Sequence, residues 1–281
     1  MRREYASLSH GLLGAWCPSL GITGYRLIDR SGRNNHGVFT NMDGQANWGA
    51  SGGGLYVNTD GVDDIIDAGS SLGMNGATFG TISVWFFTSS SITKGSVGFA
   101  NGSNNAGGNR FEISLVSGTA YFTAESDSSG AVYPYCSIPS GWIHLAMVYD
   151  GTLSFSPSRI AAFLNGTQQV LNGGGGTIPS SIGTSLGNFL IGKSAIDAFS
   201  GGRYDDVRIW NRRLTSQEIK ILASRRGIGL TPYRQRRTSA SSKRLWANIA
   251  GTWKETTPYV NVGGVWKEAA VYRHDGTGFK N

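Results

Sequence analysis

The chain is poor in cysteine, proline and charge. Its 281 residues include 2 Cys and 7 Pro, and Lys, Arg, Asp and Glu together make up 15%. Cys17 and Cys136 are too far apart to be typical of a disulfide framework or a zinc site, so we expect two unpaired, partly or wholly buried thiols. No apolar run could span a membrane or serve as a secretory signal behind the basic start. We therefore expect a protein that is synthesised in a cytoplasm and makes no membrane contact.

Glycine and aromatic residues are abundant instead. The chain has 42 Gly, 8 Trp, 12 Phe and 11 Tyr, and the glycines show no period of three. This composition is typical of an all-β protein with many tight turns. Residues 9–224 alternate short apolar strands with turns rich in Gly, Asn, Ser and Asp. They predict a two-sheet antiparallel sandwich.

Local signals place the main elements of this sandwich. Asp150-Gly151 and Asn165-Gly166 predict hairpin turns, and Thr215 with Glu218 predicts a capping box at the start of a short helix that ends at Ser224. The clearest strands are predicted at Gly11–Trp16, Gly54–Asn58, Thr81–Thr88, Phe111–Val116, Ala120–Ala124, Trp142–Asp150, Ile160–Leu164, Asn188–Ile191 and Tyr204–Trp210.

The net charge of +7 comes from the C-terminal part of the chain. Residues 1–224 carry 14 Lys+Arg and 15 Asp+Glu, which gives −1, whereas residues 225–281 carry 11 and 3, which gives +8. Residues 225–244 contain no acid and are rich in Arg, Gly, Ser and Thr, so we predict a basic linker. Such a segment suits solvent, phosphates or an acidic protein surface. Without a nucleic-acid-binding fold, we expect no sequence-specific contact with nucleic acid.

Three aromatic–lysine pairs stand 13 residues apart after this linker. They are Trp253-Lys254, Trp266-Lys267 and Phe279-Lys280. The residues around them repeat with the same period, and each unit reads as a strand, a Gly-containing turn and a second strand, which predicts a β-hairpin. A unit this small cannot bury its own aromatic face. We therefore predict that residues 245–281 serve for attachment or oligomerisation.

Several motifs occur in a fixed order before the linker. They are GLLGAW (11–16), DRSGRNNHG (29–37), DGVDD (60–64), TISVW (81–85), WIHLAMVYDG (142–151), LNG (164–166) and YDDVRIWNRRL (204–214). Together they resemble the laminin-G-like, concanavalin A-type jelly-roll domain family. The resemblance implies a jelly-roll sandwich over residues 1–224. It also implies carbohydrate binding through an exposed aromatic platform with amide and carboxylate groups nearby.

Tyr133 and Tyr135 are the candidate carbohydrate-binding residues, because they flank Pro134 in a segment without strand character. Candidate loops are Asn101–Arg110, Ser126–Tyr135 and Gly173–Gly176. The strand motifs predict core positions for four tryptophans: Trp16, Trp85, Trp142 and Trp210.

The paired aspartates at 63–64 and 205–206 have two interpretations. Each can bond turn backbone or pair with an arginine, as Asp206 could with Arg208 two residues along the same strand. Alternatively, the resemblance implies a Ca²⁺ site near the rim of the sandwich, with Asp29 and Asp205 as candidate ligands.

Catalytic residues are not apparent in the sequence. Glycoside hydrolases need two carboxylates that flank the cleaved bond, but the six glutamates are scattered and no Glu-x-Asp-x-x-Glu pattern occurs. The histidines have no recognisable nucleophile beside them. We expect a non-enzymatic protein, with a polysaccharide-cleaving enzyme as the alternative.

The 13-residue units, of the type Val-Asn-Val-Gly-Gly-x-Trp-Lys at 260–267, resemble units at the ends of bacteriophage tail and other structural proteins. This resemblance implies a virion protein of a tail, fibre or surface appendage. Residues 225–281 would contact other virion proteins or further copies of the chain, and a homotrimer is one possible arrangement of such copies. The sandwich would contact host-surface glycans or neighbouring virion proteins. A purely architectural capsid decoration protein is a further alternative.

Overall fold

Two eight-stranded antiparallel sheets form a sandwich, as predicted from the sequence. The computed structural model describes residues 3–43, 47–92, 94–101, 109–126, 133–173, 176–193 and 199–230, together with short strands between 245 and 280. The strands of the sandwich are β1 (Leu12–Trp16), β2 (Arg26–Leu27), β3 (Gly37–Thr40), β4 (Trp48–Ser51), β5 (Gly54–Thr59), β6 (Ile65–Ser70), β7 (Phe79–Thr88), β8 (Lys94–Asn101), β9 (Asn109–Val116), β10 (Thr119–Glu125), β11 (Tyr135–Ser137), β12 (Gly141–Asp150), β13 (Ile160–Leu164), β14 (Thr167–Gln168), β15 (Asn188–Ile191) and β16 (Gly202–Trp210).

The order of the strands places the chain's motifs side by side. Sheet 1 has the order β14-β13-β12-β7-β16-β5-β4, with β1 also paired to β16, and sheet 2 has the order β11-β10-β9-β8-β15-β6-β3-β2. The three longest strands of sheet 1, β12, β7 and β16, are therefore neighbours at its centre. All nine strands predicted from the sequence are present, with bounds that differ by two residues or fewer.

The core lies between the sheets because side chains alternate along each strand. In β7, Ile82, Val84 and Phe86 belong to the core cluster, so Trp85 and Phe87 lie on the outer face of sheet 1. Contacts across the core join the two sheets. For example, the ring of Trp16 in β1 stacks on that of a phenylalanine in β15, with centroids 5.0 Å apart. Both cysteines are free and buried, as expected.

The two predicted hairpins are both present, but only one of them has a two-residue turn. Asn165 and Gly166 join β13 to β14 with φ values of 50° and 81°, the left-handed conformation that a tight hairpin of this kind requires. At Asp150-Gly151, strands β12 and β13 also pair as an antiparallel hairpin, but Gly151 only begins the connection. Residues 151–159 connect β12 to β13 and include the 3₁₀ segment Ser156–Arg159.

A second hydrophobic layer covers part of the outer face of sheet 1. Helix α1 (Ser216–Ser224) and the N-terminal 3₁₀ segment Arg3–Ser9 contribute to it, and a further 3₁₀ turn spans Pro18–Leu20. The capping box at α1 is confirmed, because the Thr215 side chain accepts from the Glu218 backbone while the Glu218 side chain accepts from the Thr215 backbone. Among the described residues, no helix is long and apolar enough to cross a membrane.

A buried ion pair in β16 fixes the chain that follows α1. The guanidinium of Arg208 donates from Nε and Nη2 to both carboxylate oxygens of Asp206 at 2.7 and 2.8 Å, as the first interpretation of this aspartate predicted. Neither side chain is more than 2% exposed. Arg208 Nη2 also donates to the carbonyl of Ile228, and the N–H of Gly227 donates to Asp206 Oδ2, each at 2.7 Å. The start of the predicted linker, residues 225–230, therefore packs on the sandwich. Residues 231–244 lie outside the described residues.

The chain divides into two compact units, Met1–Tyr233 and Arg234–Asn281. In the second unit β17 (Leu245–Ile249) pairs with β18 (Thr252–Thr256), β19 (Tyr259–Val262) with β20 (Val265–Glu268), and β21 (Arg273–His274) with β22 (Phe279–Lys280). The register repeats with the sequence: Trp253, Trp266 and Phe279 lie opposite Asn248, Asn261 and His274. Each 13-residue unit thus contributes one antiparallel ribbon with its aromatic residue at the same place. The role of these ribbons in attachment stays a prediction.

Replacing Asp206 with Asn should destabilise the sandwich, because the buried guanidinium of Arg208 loses its counter-charge. We expect the free energy of unfolding to fall by about 3 kcal/mol, as for other buried pairs that lose one partner. Urea unfolding followed by tryptophan fluorescence measures the loss.

The matched control is Arg213→Gln, which removes an ion pair to Asp150 from an arginine side chain that is 55% exposed. This variant should lose less than about 1 kcal/mol. Equal losses in the two variants would contradict the special role of the buried pair.

Candidate functional site

The two predicted tyrosines lie at the edge of sheet 2. Tyr135 begins β11 and is paired in register with Tyr121 of β10, and their ring centroids are 5.6 Å apart. Their strand neighbours Ala120 and Cys136 belong to the core, so both rings lie on the outer face of the sheet. Tyr135 is 37% exposed and presents an aromatic surface to solvent.

A cleft of about 330 Å³ adjoins this tyrosine pair. Gly173 in its wall is in contact with Tyr135, since a Cβ at this glycine would lie 2.6 Å from the tyrosine Cε1. The backbones of Tyr135 and Asn172 exchange two hydrogen bonds, at 3.0 and 2.8 Å. The predicted loops at Ser126–Tyr135 and Gly173–Gly176 are thus brought together. Their residues 127–132 and 174–175 lie outside the described residues, as do residues 102–108 of the third predicted loop.

The cleft is lined by polar side chains as well as by proline and glycine. Its wall includes Pro134, which precedes the edge strand β11 of sheet 2, and residues of β13 and β14 at the edge of sheet 1. Gln168 and Gln169 contribute amide groups to its wall, and Ser156 and Ser158 contribute hydroxyl groups. Amides and hydroxyls beside an exposed aromatic ring are the groups that recognition of a small polar ligand requires.

Tyr133 is held by a buried ion pair beneath it. Arg110 Nη2 donates to the Tyr133 hydroxyl, and its guanidinium carbon lies 5.0 Å from the centroid of the tyrosine ring. Nε of the same arginine lies 2.5 Å from Glu125 Oε2, and neither charged side chain is more than 5% exposed. Arg110 therefore fixes the position of Tyr133, whereas the ring of Tyr135 is exposed to solvent.

The predicted core position is confirmed for Trp16 and Trp210, which are 0% exposed, but it is wrong for Trp85 and Trp142. Both of the latter are partly exposed on the outer face of sheet 1. They alternate with core residues in β7 and β12, and this alternation directs their indoles outward.

Arginines lie over the aromatic rings on this face of sheet 1. The guanidinium carbon of Arg226 is 4.4 Å from the centroid of Trp142. That of Arg203 is 5.0 Å from the ring of Tyr56 and 4.9 Å from that of Phe87. Sequence reasoning missed this cluster because its members come from four strands and from the segment after α1.

Asp29, a predicted calcium ligand, is buried and bonded to protein donors. Its Oδ1 accepts from the N–H groups of Ala15 and Ser31 at 2.9 and 2.8 Å. Its Oδ2 accepts from the Ser31 hydroxyl at 2.7 Å and from the Asn35 N–H at 3.0 Å. These bonds organise the 29–37 loop and favour the structural interpretation for this carboxylate.

Asp205, the other predicted ligand, is completely buried. It accepts from the Ser19 and Asp206 N–H groups at 3.1 and 2.8 Å and from the Ser19 hydroxyl. Arg226 Nη1 lies 3.4 Å from its Oδ2. Burial, and secondly the neighbouring carboxylate of Asp206, raise the pKa of Asp205 to about 6. Calcium binding by Asp29 and Asp205 stays a prediction.

Within the described residues, the acids that approach one another closely enough to hold a metal ion are Asp60, Asp63 and Asp64, and not the predicted pair. Asp60 Oδ1 accepts from the Val62 N–H at 2.7 Å and from the N–H groups of the two following residues. These backbone bonds lower the pKa of Asp60. The structural interpretation of the 63–64 pair is met at Asp64, whose Oδ2 accepts from the Asp60 N–H at 3.0 Å. The bonds that Asp60 itself accepts were not predicted.

A buried serine–histidine contact was not foreseen from the sequence. Ser83 Oγ lies 2.9 Å from His144 Nε2, and the two residues are at most 1% exposed. Burial, and secondly the charge of Arg208, lower the pKa of His144 to about 3, so its imidazole is neutral at physiological pH. Because this contact is closed to solvent, it forms part of the packing of sheet 1.

The chain belongs to the concanavalin A-like lectin/glucanases superfamily, whose laminin-G description matches residues 60–220. Among solved structures it resembles the binding domain of botulinum neurotoxin DC in complex with rat synaptotagmin II, at 14% identity and a TM-score of 0.53, over 76% of this chain and 51% of that one. It also resembles Trypanosoma rangeli sialidase, at 14% identity and a TM-score of 0.50, over 76% of this chain and 32% of that one.

The chain therefore spans about half the length of the first of these proteins and about a third of the second. At such low identity the likeness shows the fold alone. No curated protein matches the sequence.

Because of Asp205, the free energy of unfolding of the sandwich should fall as the pH rises from about 4 to about 6. The pKa of Asp205 is raised from 3.8 to about 6, so over this range the folded protein retains a proton that the unfolded chain has lost. The unfolded state then binds fewer protons, and stability falls with increasing pH. Asp205→Asn should remove this part of the slope.

Urea unfolding at intervals between pH 4 and pH 7 measures the effect. Asp43→Asn, at an exposed position, is the control and should retain the slope of the unchanged protein. An Asp205→Asn variant with an unaltered slope would show that the carboxyl does not titrate there.

Proposed function

We propose that the protein is a non-enzymatic structural protein of a bacteriophage virion, in a tail, fibre or surface appendage, whose sandwich binds glycans on the host surface. The observation that carries glycan binding is the exposed ring of Tyr135, which packs beside Tyr121 next to the 330 Å³ cleft. Tyr135 touches the cleft through Gly173 in its wall, so an oligosaccharide whose apolar face packs against Tyr135 would extend its hydroxyls towards the amides of Gln168 and Gln169.

Relatives in fold support a sugar as the ligand class. Trypanosoma rangeli sialidase has been solved in complex with 2,3-difluorosialic acid, and the neurotoxin binding domain has been solved in complex with SialylT. The family description likewise names lectins beside glucanases.

The ion pairs of the sandwich support a binding role over a catalytic one. Glu125 is paired with Arg110, and Glu218 lies 2.7 Å from Arg212. A general acid or nucleophile must instead face the scissile bond together with a second carboxylate. Incubation with host-surface polysaccharide should accordingly yield no shortened products.

The repeated ribbons support attachment to the particle. Their shared register gives an equivalent aromatic position three times, and the preceding residues 225–244 carry 7 basic residues and no acidic one. A basic segment of this kind suits an acidic neighbouring virion protein. Ribbons from several copies could also pack together, and the phage resemblance suggests a homotrimer.

Replacing Tyr135 with Ala should weaken binding of the protein to host-surface oligosaccharides. The ring is lost, and aromatic contacts contribute about 0.5–1.5 kcal/mol beyond their buried area, so affinity should fall about two- to tenfold. Glycan-array binding identifies the oligosaccharide, and calorimetry measures the affinity.

Tyr135→Phe should bind nearly as well as the unchanged protein, because it keeps the ring. Tyr25→Ala removes a tyrosine that is 77% exposed elsewhere on the sandwich and should have no effect. Unchanged affinity in Tyr135→Ala would place the glycan site elsewhere.

Deleting residues 245–281 should leave a folded, soluble sandwich that no longer joins the virion. The sandwich and α1 lie in the first compact unit, so the melting temperature of the truncated protein should stay close to that of the whole chain. Incorporation is measured in purified particles by immunoblot. Normal incorporation of the truncated protein would contradict attachment through the repeats.

A further inference from the structure

A second cavity, of about 450 Å³, lies beside sheet 1 and apart from the tyrosine pair. The turn at Gly52-Gly53 forms one part of its wall, and the segment after α1 forms another. Trp85 and Trp142 line it with two partly exposed indoles, and Arg226 lines it with a side chain that is 8% exposed. The cavity therefore combines aromatic walls with a nearly buried cation.

Two of the lining residues each have a hydrogen-bond donor with no hydrogen-bond partner among the described residues. These donors are Trp85 Nε1 and Arg226 Nη1, both buried. The second lies 3.4 Å from Asp205 Oδ2, close enough for an ion pair but without a hydrogen bond. An indole N–H and a guanidinium can only donate. A buried donor without an acceptor is costly, so the wall is suited to an occupant that brings acceptor oxygens.

The position of Arg226 is set independently of any occupant. Its Nη2 donates to the Ser51 carbonyl at 2.8 Å and to the Gly52 carbonyl. Its guanidinium lies over Trp142, whose own Nε1 donates to the Ser51 hydroxyl at 2.9 Å. The indole of Trp142 is thus satisfied and fixed, and the free donors are those of the other indole and of the arginine.

The charges around the cavity favour a negatively charged occupant. Arg225 is exposed and also lines the cavity, which places a second cation beside Arg226. Among the described residues, two acids touch lining residues, and both are engaged within the protein: Asp205 accepts from backbone N–H groups, and Asp206 is paired with Arg208. A carboxylate has two acceptor oxygens and a charge that complements the two arginines.

We propose that this cavity binds the carboxylate of an acidic sugar, such as a hexuronate, as a second glycan site. The free donors of Trp85 and Arg226 would bond the carboxylate, and the indoles of Trp85 and Trp142 would contact the apolar face of the sugar ring. The choice of a sugar, and not of an acidic peptide, as the ligand rests on the proposed glycan-binding function. The inference that the cavity binds a carboxylate rests only on its donors and charges and is independent of that function.

Titration of the full-length protein with glucuronate and with glucose tests the proposal, because the two sugars differ only in the group at C6. Calorimetry and ligand-observed NMR should show glucuronate binding at least about tenfold more tightly, the difference expected for charge-assisted hydrogen bonds to a carboxylate. Raising the salt concentration should weaken glucuronate binding.

Three variants locate the site. Trp85→Phe removes one donor and keeps an aromatic ring, Arg225→Gln removes an exposed charge, and Arg226→Gln removes the central cation. Each should weaken glucuronate binding several-fold, with about tenfold for Arg226→Gln. If Arg226→Gln does not fold, the other two variants carry the test. Arg203→Gln is the matched control, because this arginine also lies over aromatic rings of sheet 1 and does not line the cavity.

The outcomes separate this proposal from the glycan function of the tyrosine pair. Tyr135→Ala should leave glucuronate binding unchanged even if it abolishes binding of the host glycan. Equal affinities for glucose and glucuronate, or binding that is insensitive to the Trp85 and Arg225 variants, would overturn the proposal. So would the absence of glucuronate binding, which would leave water as the occupant, or tighter binding of a tetraglutamate peptide, which would identify an acidic protein segment as the ligand.

Discussion

The ion pair between Asp206 and Arg208 is the constraint on which the architecture of sheet 1 depends. It lies in β16 at a bulge, with Asp206 in the left-handed conformation at a φ of 47°. At the bulge, two charged side chains two residues apart in β16 pair with each other while buried. Arg208 also donates to the carbonyl of Ile228, and Asp206 accepts from the N–H of Gly227. This bulge in β16, a central strand of sheet 1, thus holds the segment around Ile228, which lies 20 residues after Arg208 in the chain. It also places Arg226 over Trp142, and the wall of the second cavity follows from that placement.

Both candidate sites combine an arginine with an aromatic ring. Arg110 supports Tyr133 and is neutralised by Glu125, so its donors are engaged within the protein. Arg226 covers Trp142 but shares only a 3.4 Å ion pair with Asp205, and one of its nitrogens keeps no hydrogen bond within the described residues. Because guanidinium groups both stack and donate, the same pairing produces a rigid support at Tyr133 and, at the cavity, an arginine with a donor that no described residue accepts from.

The sequence predicts the fold better than the sites, for a physical reason. Strands such as β7 and β12 combine alternation with branched and aromatic residues. Seven of the sixteen described strands of the sandwich were not predicted, and one of them, β8, contains Gly95 and Gly98, which carry little strand signal. Alternation shows that Trp85 and Ile82 face opposite ways, but where both faces hold large apolar residues it does not show which one meets the core. The residues that contact Trp85 and Trp142 come from distant segments of the chain, so no local sequence pattern predicts these contacts. Tyr135 was found because it follows a proline outside the strong strand signals.

The C-terminal ribbons, unlike the sandwich, need further contacts to be stable, and this limits what a partner could be. Two-stranded ribbons are marginal in isolation, and the three share one register over a 13-residue period. A partner that stabilises all of them must offer equivalent surfaces at a regular spacing. A repeated particle surface meets this condition, and so does another copy of the same repeat. The positive charge lies mainly before the ribbons, because residues 225–244 carry 7 Lys+Arg and no Asp+Glu, whereas residues 245–281 carry 4 and 3, a net +1. An acidic partner would therefore be attracted to the basic linker, and the ribbons would have to bind through their aromatic and backbone groups.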